Sequence, residues 1–360
     1  MKKTITDELL SIKFPNTNNI FLKEKNIKKI DQDNKSINIE IELNFVAKKR
    51  LNELQQLIEK KISSTQGLPT KVFLTSNIKS HKVQQGLSPL KGVKNIVAIA
   101  SGKGGVGKST TAVNLALALA KVGAKVGILD ADIYGPSQPQ MLGIHNKKPQ
   151  SSDGKSMDPI IAHGIEVMSI GFLVDQETPM IWRGPMVTGA LEQLLKETKW
   201  NNLDYLIVDL PPGTGDIQLT LAQKIPVTGA VIVTTPQDIA LLDARKGLKM
   251  FEKVNVPIIG IVENMATHIC SQCGHEEYIF GEGGGFKMAK DYEVELLGSL
   301  PLDINIRKQL DDGNPTVVSD GDGKIAAIYE EIAIIHRLGL HHSTKILPIN
   351  FQKLLLKKTN

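Results

Sequence analysis

The stretch Gly102-Lys103-Gly104-Gly105-Val106-Gly107-Lys108-Ser109 fits G-x-x-x-x-G-K-[ST], and its surroundings restrict what it can be. Just before it, residues 95–100 (Asn-Ile-Val-Ala-Ile-Ala) form a continuous apolar run, as a strand buried on both faces requires. Just after it, Lys108 opens a segment with Ala112, Leu115, Ala116 and Leu119 at helical spacing. Strand, glycine-rich turn and helix in that order gather backbone N–H groups and the positive end of a helix dipole at one point. That point suits phosphate. Residues Gly102, Lys103, Gly104, Gly105, Val106, Gly107, Lys108, Ser109 and Thr110 are therefore the expected contacts to the phosphate tail of ATP. Lys108 is expected to reach the β- and γ-phosphates, and the Ser109 hydroxyl to ligate Mg²⁺. Lys103 has two readings. It adds charge beside Lys108, or it reaches across a dimer interface to the partner's nucleotide.

The apolar runs continue at residues 125–129, 205–210, 230–234, 258–262 and 296–300, with helical patterns between most of them. This alternation predicts an α/β fold: a mostly parallel sheet flanked by helices, with ligands at the carboxyl ends of the strands. Residues 1–80 read differently, as a small α+β unit. Residues 36–45 alternate polar and apolar, residues 47–64 carry Leu51, Leu54, Leu57, Ile58 and Ile62 at helical spacing, and a short strand is expected near Lys71-Val72-Phe73-Leu74. Residues 81–93 read as a linker, 94–340 as the ATPase domain and 341–360 as a tail.

Phosphoryl transfer needs an acid for the metal and a group that orients water. Leu206-Ile207-Val208-Asp209 is an apolar strand ending in aspartate, so Asp209 is expected to hold Mg²⁺ through water. It leads into Leu210-Pro211-Pro212-Gly213, where Gly213 is expected to offer an open N–H to the γ-phosphate. Ile128-Leu129-Asp130-Ala131-Asp132 is a second strand ending in acids. Asp132 lies past the strand end and is the expected water-orienting carboxylate, with Asp130 structural or a distant partner of magnesium.

Composition narrows the field. The 360 residues carry a formal charge of +5 and only 4% aromatic residues, which argues against an aromatic groove for single-stranded nucleic acid. The clusters Lys48-Lys49-Arg50, Lys60-Lys61 and Lys357-Lys358 read as solvated faces, so no nucleic-acid partner is expected. No apolar stretch reaches the ~18 residues of a membrane span. No secretory core follows Met1-Lys2-Lys3, so a cytoplasmic protein without stable membrane association is expected. The two cysteines, Cys270 and Cys273, exclude a disulfide framework.

Taken together, the phosphate loop with Lys103, Asp130-Ala131-Asp132 and Asp209-Leu210-Pro211-Pro212-Gly213 resemble the MinD/ParA class of dimeric ATPases. Asp132-Ile133-Tyr134-Gly135-Pro136-Ser137, Trp182-Arg183-Gly184-Pro185, Glu263-Asn264-Met265 and Cys270-Ser271-Gln272-Cys273 narrow the resemblance to the Mrp-type iron–sulfur cluster carriers. The small first unit is similar in size and element order to a metal–sulfur assembly domain. That domain often carries a cysteine, and none precedes Cys270 here. The resemblance implies that Lys103 acts across a homodimer, and that Asn264 reads adenine with Pro301 and Asp303 in a closing loop. It also implies a [4Fe–4S] cluster bridged between subunits and passed from a donor to apo iron–sulfur proteins. Two thiolates per chain leave a four-coordinate shell half made, and two copies complete it. Zinc, helped by His268 or His275, a redox pair and an inert pair remain open for Cys270 and Cys273. A positioning ATPase acting on membrane or DNA is the alternative function.

Overall fold

Chains that alternate apolar strands with amphipathic helices bury the strands between two helical layers, and this chain does so from Ser80 onward. The computed structural model describes residues 2–15, 20–45, 50–173, 184–270 and 272–339. Lys48-Lys49, Trp182-Arg183, Ser271 and the tail 341–360 with Lys357-Lys358 lie outside the described residues.

The chain divides into two compact units, the boundary falling after Lys79. The first contains α1 (Lys2–Leu9), β1 (Ile27–Gln32), β2 (Ile37–Leu43), α2 (Leu51–Gln66) and β3 (Thr70–Ser76). Strand β2 pairs antiparallel with β1 and parallel with β3. Its alternation is strict: Ile37, Ile39, Ile41 and Leu43 are buried and Asn38 and Glu40 exposed. Leu54, Ile58 and Ile62 of α2 are buried, and Gly67 ends that helix in the left-handed region at φ 69°. Phe14, Phe21 and Phe45 meet edge to face, with centroids 5.7–6.3 Å apart.

In the second unit, residues 80–93 have no regular secondary structure beyond turns and an isolated bridge, but they are pinned rather than loose. The His81 N–H donates to Asn95 Oδ1 at 3.1 Å, and Gln84 Nε2 donates to the carbonyls of Ala222 and Ile225. Then come β4 (Ile96–Ala100), α3 (Lys108–Lys121), β5 (Val126–Asp130), α4 (Gln138–Met141), β6 (Ile160–Ala162), β7 (Ile165–Ser169), α5 (Gly184–Glu197) and β8 (Tyr205–Asp209). They are followed by α6 (Asp216–Lys224), β9 (Gly229–Thr234), α7 (Asp238–Lys253), β10 (Ile258–Glu263), β11 (His268–Ile269), β12 (Glu276–Glu277), α8 (Gly284–Asp291), β13 (Leu296–Ser299), α9 (Ile304–Asp311), α10 (Thr316–Ser319) and α11 (Lys324–Gly339).

The main sheet runs β13-β10-β9-β4-β8-β5-β7-β6, parallel except for the antiparallel edge strand β6. Every residue of β4, β5, β8 and β9 is buried, as apolar runs covered on both faces must be. The register sets Asp209 beside both Ile99 and Asp130. The acids at the ends of β5 and β8 therefore converge where β4 hands over to the glycine-rich turn.

Candidate functional site

Two glycines of the turn are fixed by what touches them. Gly107 caps α3 at φ 82°, a conformation L side chains rarely adopt, and a Cβ there would overlap the Asn264 amide. Gly102 is required by packing: a Cβ would overlap the backbone of Asp243 and Ala244 in α7. Gly104 and Gly105 face open space. Among the described residues, the N–H groups of residues 102–110 donate to no backbone carbonyl; the first that does is Thr111, to Gly107 O at 2.9 Å. A run of unspent donors at the head of a helix is the donor set a phosphate chain needs.

Lys108 is buried. Its Nζ donates to Asp209 Oδ1 and, at 3.1 Å, to Ser109 Oγ, and lies 3.8 Å from Asp132 Oδ2. Gln138, absent from the sequence reading, ties the same group together: Nε2 donates to Asp209 Oδ2 at 2.9 Å and to Ser109 O at 3.1 Å. Its signal was faint, a polar residue at the start of a short helix after the Asp132 loop. Lys103 is half-buried and forms no ion pair among the described residues; its carbonyl accepts from Ser101 Oγ at 2.9 Å.

Asp130 is fully buried and accepts from Asp132 N, Gln138 N and Ser169 Oγ at 3.0–3.2 Å. Burial, then the Asp209 charge, pushes its carboxyl up to about 7 against the pull of those donors and of Lys108. Between its ordinary value of 3.8 and about 7, the folded chain thus keeps a proton that the unfolded chain releases. Stability from this group is present at low pH and lost as pH rises through that window. Asp130→Asn loses an acceptor toward one of the three donors, so it is expected to destabilise the protein at pH 5. The gap should narrow by pH 8, where the wild-type carboxylate is charged. Urea unfolding at both pH values reads this; a gap that widens with pH refutes it.

Asp132 is more open, shifted up chiefly by burial, and its Oδ1 is buried with no hydrogen-bond partner. Gly213 departs from expectation. It sits at φ 107°, but its N–H donates to Ser101 O at 3.0 Å instead of standing open. The pairing of β8 with β4 brings the residues that follow the two strands together, and Ser101 O takes the donor.

Asn264, just past β10, is buried and donates through Nδ2 to Val106 O at 2.9 Å, so it braces the turn directly. Pro301 follows Leu300, whose N–H donates to Glu263 O at 2.8 Å. Asp303 caps α9, accepting from Asn305 N at 2.7 Å.

Cys270 and Cys273 sit at the tip of the β11–β12 hairpin, in which His268 pairs with Glu277 and Ile269 with Glu276. Cys270 N donates to His275 O at 2.9 Å, and Gly274 N to Cys270 O at 2.8 Å. Both thiols are free, Cys270 half-buried and Cys273 exposed. The N–H groups of Cys273 and Gln272 and the Cys273 side chain hold the Cys270 thiol below its ordinary range, which favours the metal-binding thiolate. Among the described residues, no group of three or more His, Cys, Asp or Glu side chains gathers as a metal site within one chain. His268 Nδ1 lies 3.2 Å from Leu302 O, and His275 Nε2 lies 3.9 Å from Glu277 Oε1. Neither histidine completes the pair.

A donor-lined turn between a buried strand and a helix, with a buried lysine and strand-end aspartates, defines a P-loop nucleoside triphosphatase. A family model described as ParA, NUBPL iron-transfer P-loop NTPase, matches residues 92–335. The chain belongs to that family. It is 62% identical over 286 residues to an iron–sulfur cluster carrier protein of Pseudomonas fragi, spanning 79% of this chain and 100% of that one. A nucleotide-binding protein of Archaeoglobus fulgidus, solved in complex with ADP, superposes with a TM-score of 0.55 at 41% identity, over 62% of this chain and 87% of that one. The septum site-determining protein MinD of Pyrococcus horikoshii, complexed with Mg-ADP, shares the fold at 23% identity, with a TM-score of 0.52 over 70% and 99% of the two chains. Among the described residues no helix is long and apolar enough to cross a membrane.

Proposed function

We propose that this chain is an ATP-hydrolysing carrier in the cytoplasm that takes a [4Fe–4S] cluster from an upstream donor, holds it across a homodimer and hands it to apo iron–sulfur proteins. The hairpin carries the reading: it presents the only two cysteines of the chain at an exposed tip, with one thiol already drawn toward thiolate. Two copies supply the four thiolates such a cluster needs. An exposed site suits cargo that must leave again.

The nucleotide side follows from the same chemistry. The unspent N–H groups of residues 102–110 and the lysine fit a phosphate chain. Lys108 would exchange Asp209 for the β- and γ-phosphates, and Gly213 would exchange Ser101 O for the γ-phosphate. Ser109 and, through water, Asp209 would hold Mg²⁺, which supplies charge neutralisation on the phosphate oxygens when bound. Lys103 would reach the partner's nucleotide. Asn264, Pro301 and Asp303 would border the adenine.

Anaerobic reconstitution with iron and sulfide tests the carrier. The expected product is a dimer with about four irons and four sulfides that loses them to an apo acceptor and restores the acceptor's activity. Zinc in place of iron, or a cluster that no acceptor removes, overturns the reading.

The partnerless Oδ1 of Asp132 points to the group that orients water. Asp132→Ala is expected to leave nucleotide affinity within a few fold and to lower kcat about 10²-fold. Full turnover in that variant would show that another carboxylate does this work.

A further inference from the structure

We propose that Glu263 is a positioning residue that couples the nucleotide turn to the cysteine hairpin, an inference that rests on the carrier reading above. Glu263 ends β10 and is buried. Its Oε1 accepts from Gly285 N at 2.6 Å, and its Oε2 accepts from Ser299 Oγ at 3.3 Å. The first bond closes a sequence separation of 22 residues, and both cysteines lie inside that loop. Glu263 thus fastens the outgoing end of the cysteine loop to the strand from which the loop departs. The carboxylate also stands at the first turn of α8, where the helix dipole strengthens a charged acceptor.

The next residue does the opposite job. Asn264 holds Val106 O of the phosphate turn at 2.9 Å. Successive side chains at a strand end point to opposite sides, so one residue grips the turn and its neighbour grips the base of the cysteine loop. Two further features tighten the junction. A Cβ on Gly285 would stand 2.9 Å from Glu263 Cβ, so only glycine allows this approach. Met265, which starts the loop, is held at φ 56°, an uncommon conformation for a side-chain-bearing residue. A shift of the turn on binding phosphate would move Asn264, and through the short rigid step to Glu263 it would move the start of α8 and the loop.

The test uses the reduced, metal-free full chain. Thiol alkylation rates of Cys270 and Cys273 are measured with and without Mg²⁺ and a non-hydrolysable ATP analogue, and nucleotide affinity is measured in parallel. Wild-type rates are expected to change about fivefold or more on nucleotide binding. Glu263→Ala should hold affinity within about twofold while its thiols lose most of that response. Glu263→Gln keeps an acceptor for Gly285 N and should restore most of it. Gly285→Ala opens the same contact from the other side while favouring the helix, and the Glu263→Ala/Gly285→Ala pair should lose no more than either single change. A Glu263→Ala protein with the full wild-type response overturns the proposal. So do wild-type thiols that ignore a nucleotide that binds. A wild-type chain that binds no nucleotide overturns the carrier reading and the coupling with it.

Discussion

Lys108→Ala is expected to abolish productive nucleotide use, lowering kcat/KM for ATP about 10²–10³-fold, the scale of removing one preorganised charge from a phosphoryl or oxyanion site. The structure adds a second consequence. Lys108 is the cation facing Asp209 and Asp132, with Asp130 beside Asp209 in register. Its removal leaves these carboxylates to one another at a point where Asp209 and Asp130 are fully buried. Breaking a buried pair costs about 3–5 kcal/mol when the orphaned charge stays buried. Here part of that loss is avoided, because the Asp130 carboxyl, pushed up to about 7, is already drawn toward its neutral form. The residual cost is smaller than the roughly 5–15 kcal/mol that holds a domain together, so the variant should fold with a lowered melting temperature. Two readouts separate chemistry from folding. Wild-type protein should gain thermal stability with Mg²⁺ and an ATP analogue, as any ligand of the folded state confers. Lys108→Ala should show no such gain although it melts cooperatively. A variant that melts lower yet keeps the wild-type gain would mean that the backbone N–H groups bind the phosphates alone.

What the sequence made legible were features written in neighbouring residues. The continuous apolar runs, the glycine spacing and the aspartates at run ends are local: the runs are the strands, and the glycines and aspartates stand at their carboxyl ends. Features set by distant partners stayed hidden. Gly102 reads as a phosphate-loop glycine, but its lack of a side chain also answers to α7, more than a hundred residues later in the chain. Gln138 gains its place only when β5 and β8 lie side by side, bringing it to Asp209 across 71 residues. Asn264 reaches Val106 across 158 residues. The Gly213 N–H reads as open because glycine has no side chain to shield it, yet Ser101 O, brought near by the fold, accepts it. Strands β6 and β7 were missed, although β7 is fully buried, because Glu166 and Ser169 interrupt its apolar run. In the small unit, β1 escaped notice because its pattern of charged residues leaves no clear buried face.

Replacing both cysteines, Cys270→Ser/Cys273→Ser, is expected to remove cluster uptake altogether while nucleotide affinity stays within about twofold, since the hairpin tip takes no part in the phosphate contacts. The fold should survive. The hairpin is held by backbone bonds, Cys270 N to His275 O and Gly274 N to Cys270 O, that serine preserves. At a hairpin tip with one cysteine exposed and the other half-buried, such changes shift stability by about 0.5 kcal/mol. The single variants carry the sharper logic. A chain with one thiol offers a symmetric dimer two thiolates, half of a four-thiolate shell. Each single serine should therefore fail nearly as badly as the double, and the losses should not add. A cluster held within one chain with outside ligands would behave differently: one remaining cysteine would retain part of the iron, in a monomer. The Cys270 thiol should also show its own pH response. Cys270, drawn toward thiolate by the Cys273 and Gln272 N–H groups, should begin to alkylate at lower pH than a free cysteine does. Iron and sulfide analysis of the three variants, each with its mass in solution, tests the bridged arrangement. Wild-type iron content in the double variant would show that the cluster is held elsewhere, and partial occupancy of a monomer in either single variant would show that it is not shared between two chains.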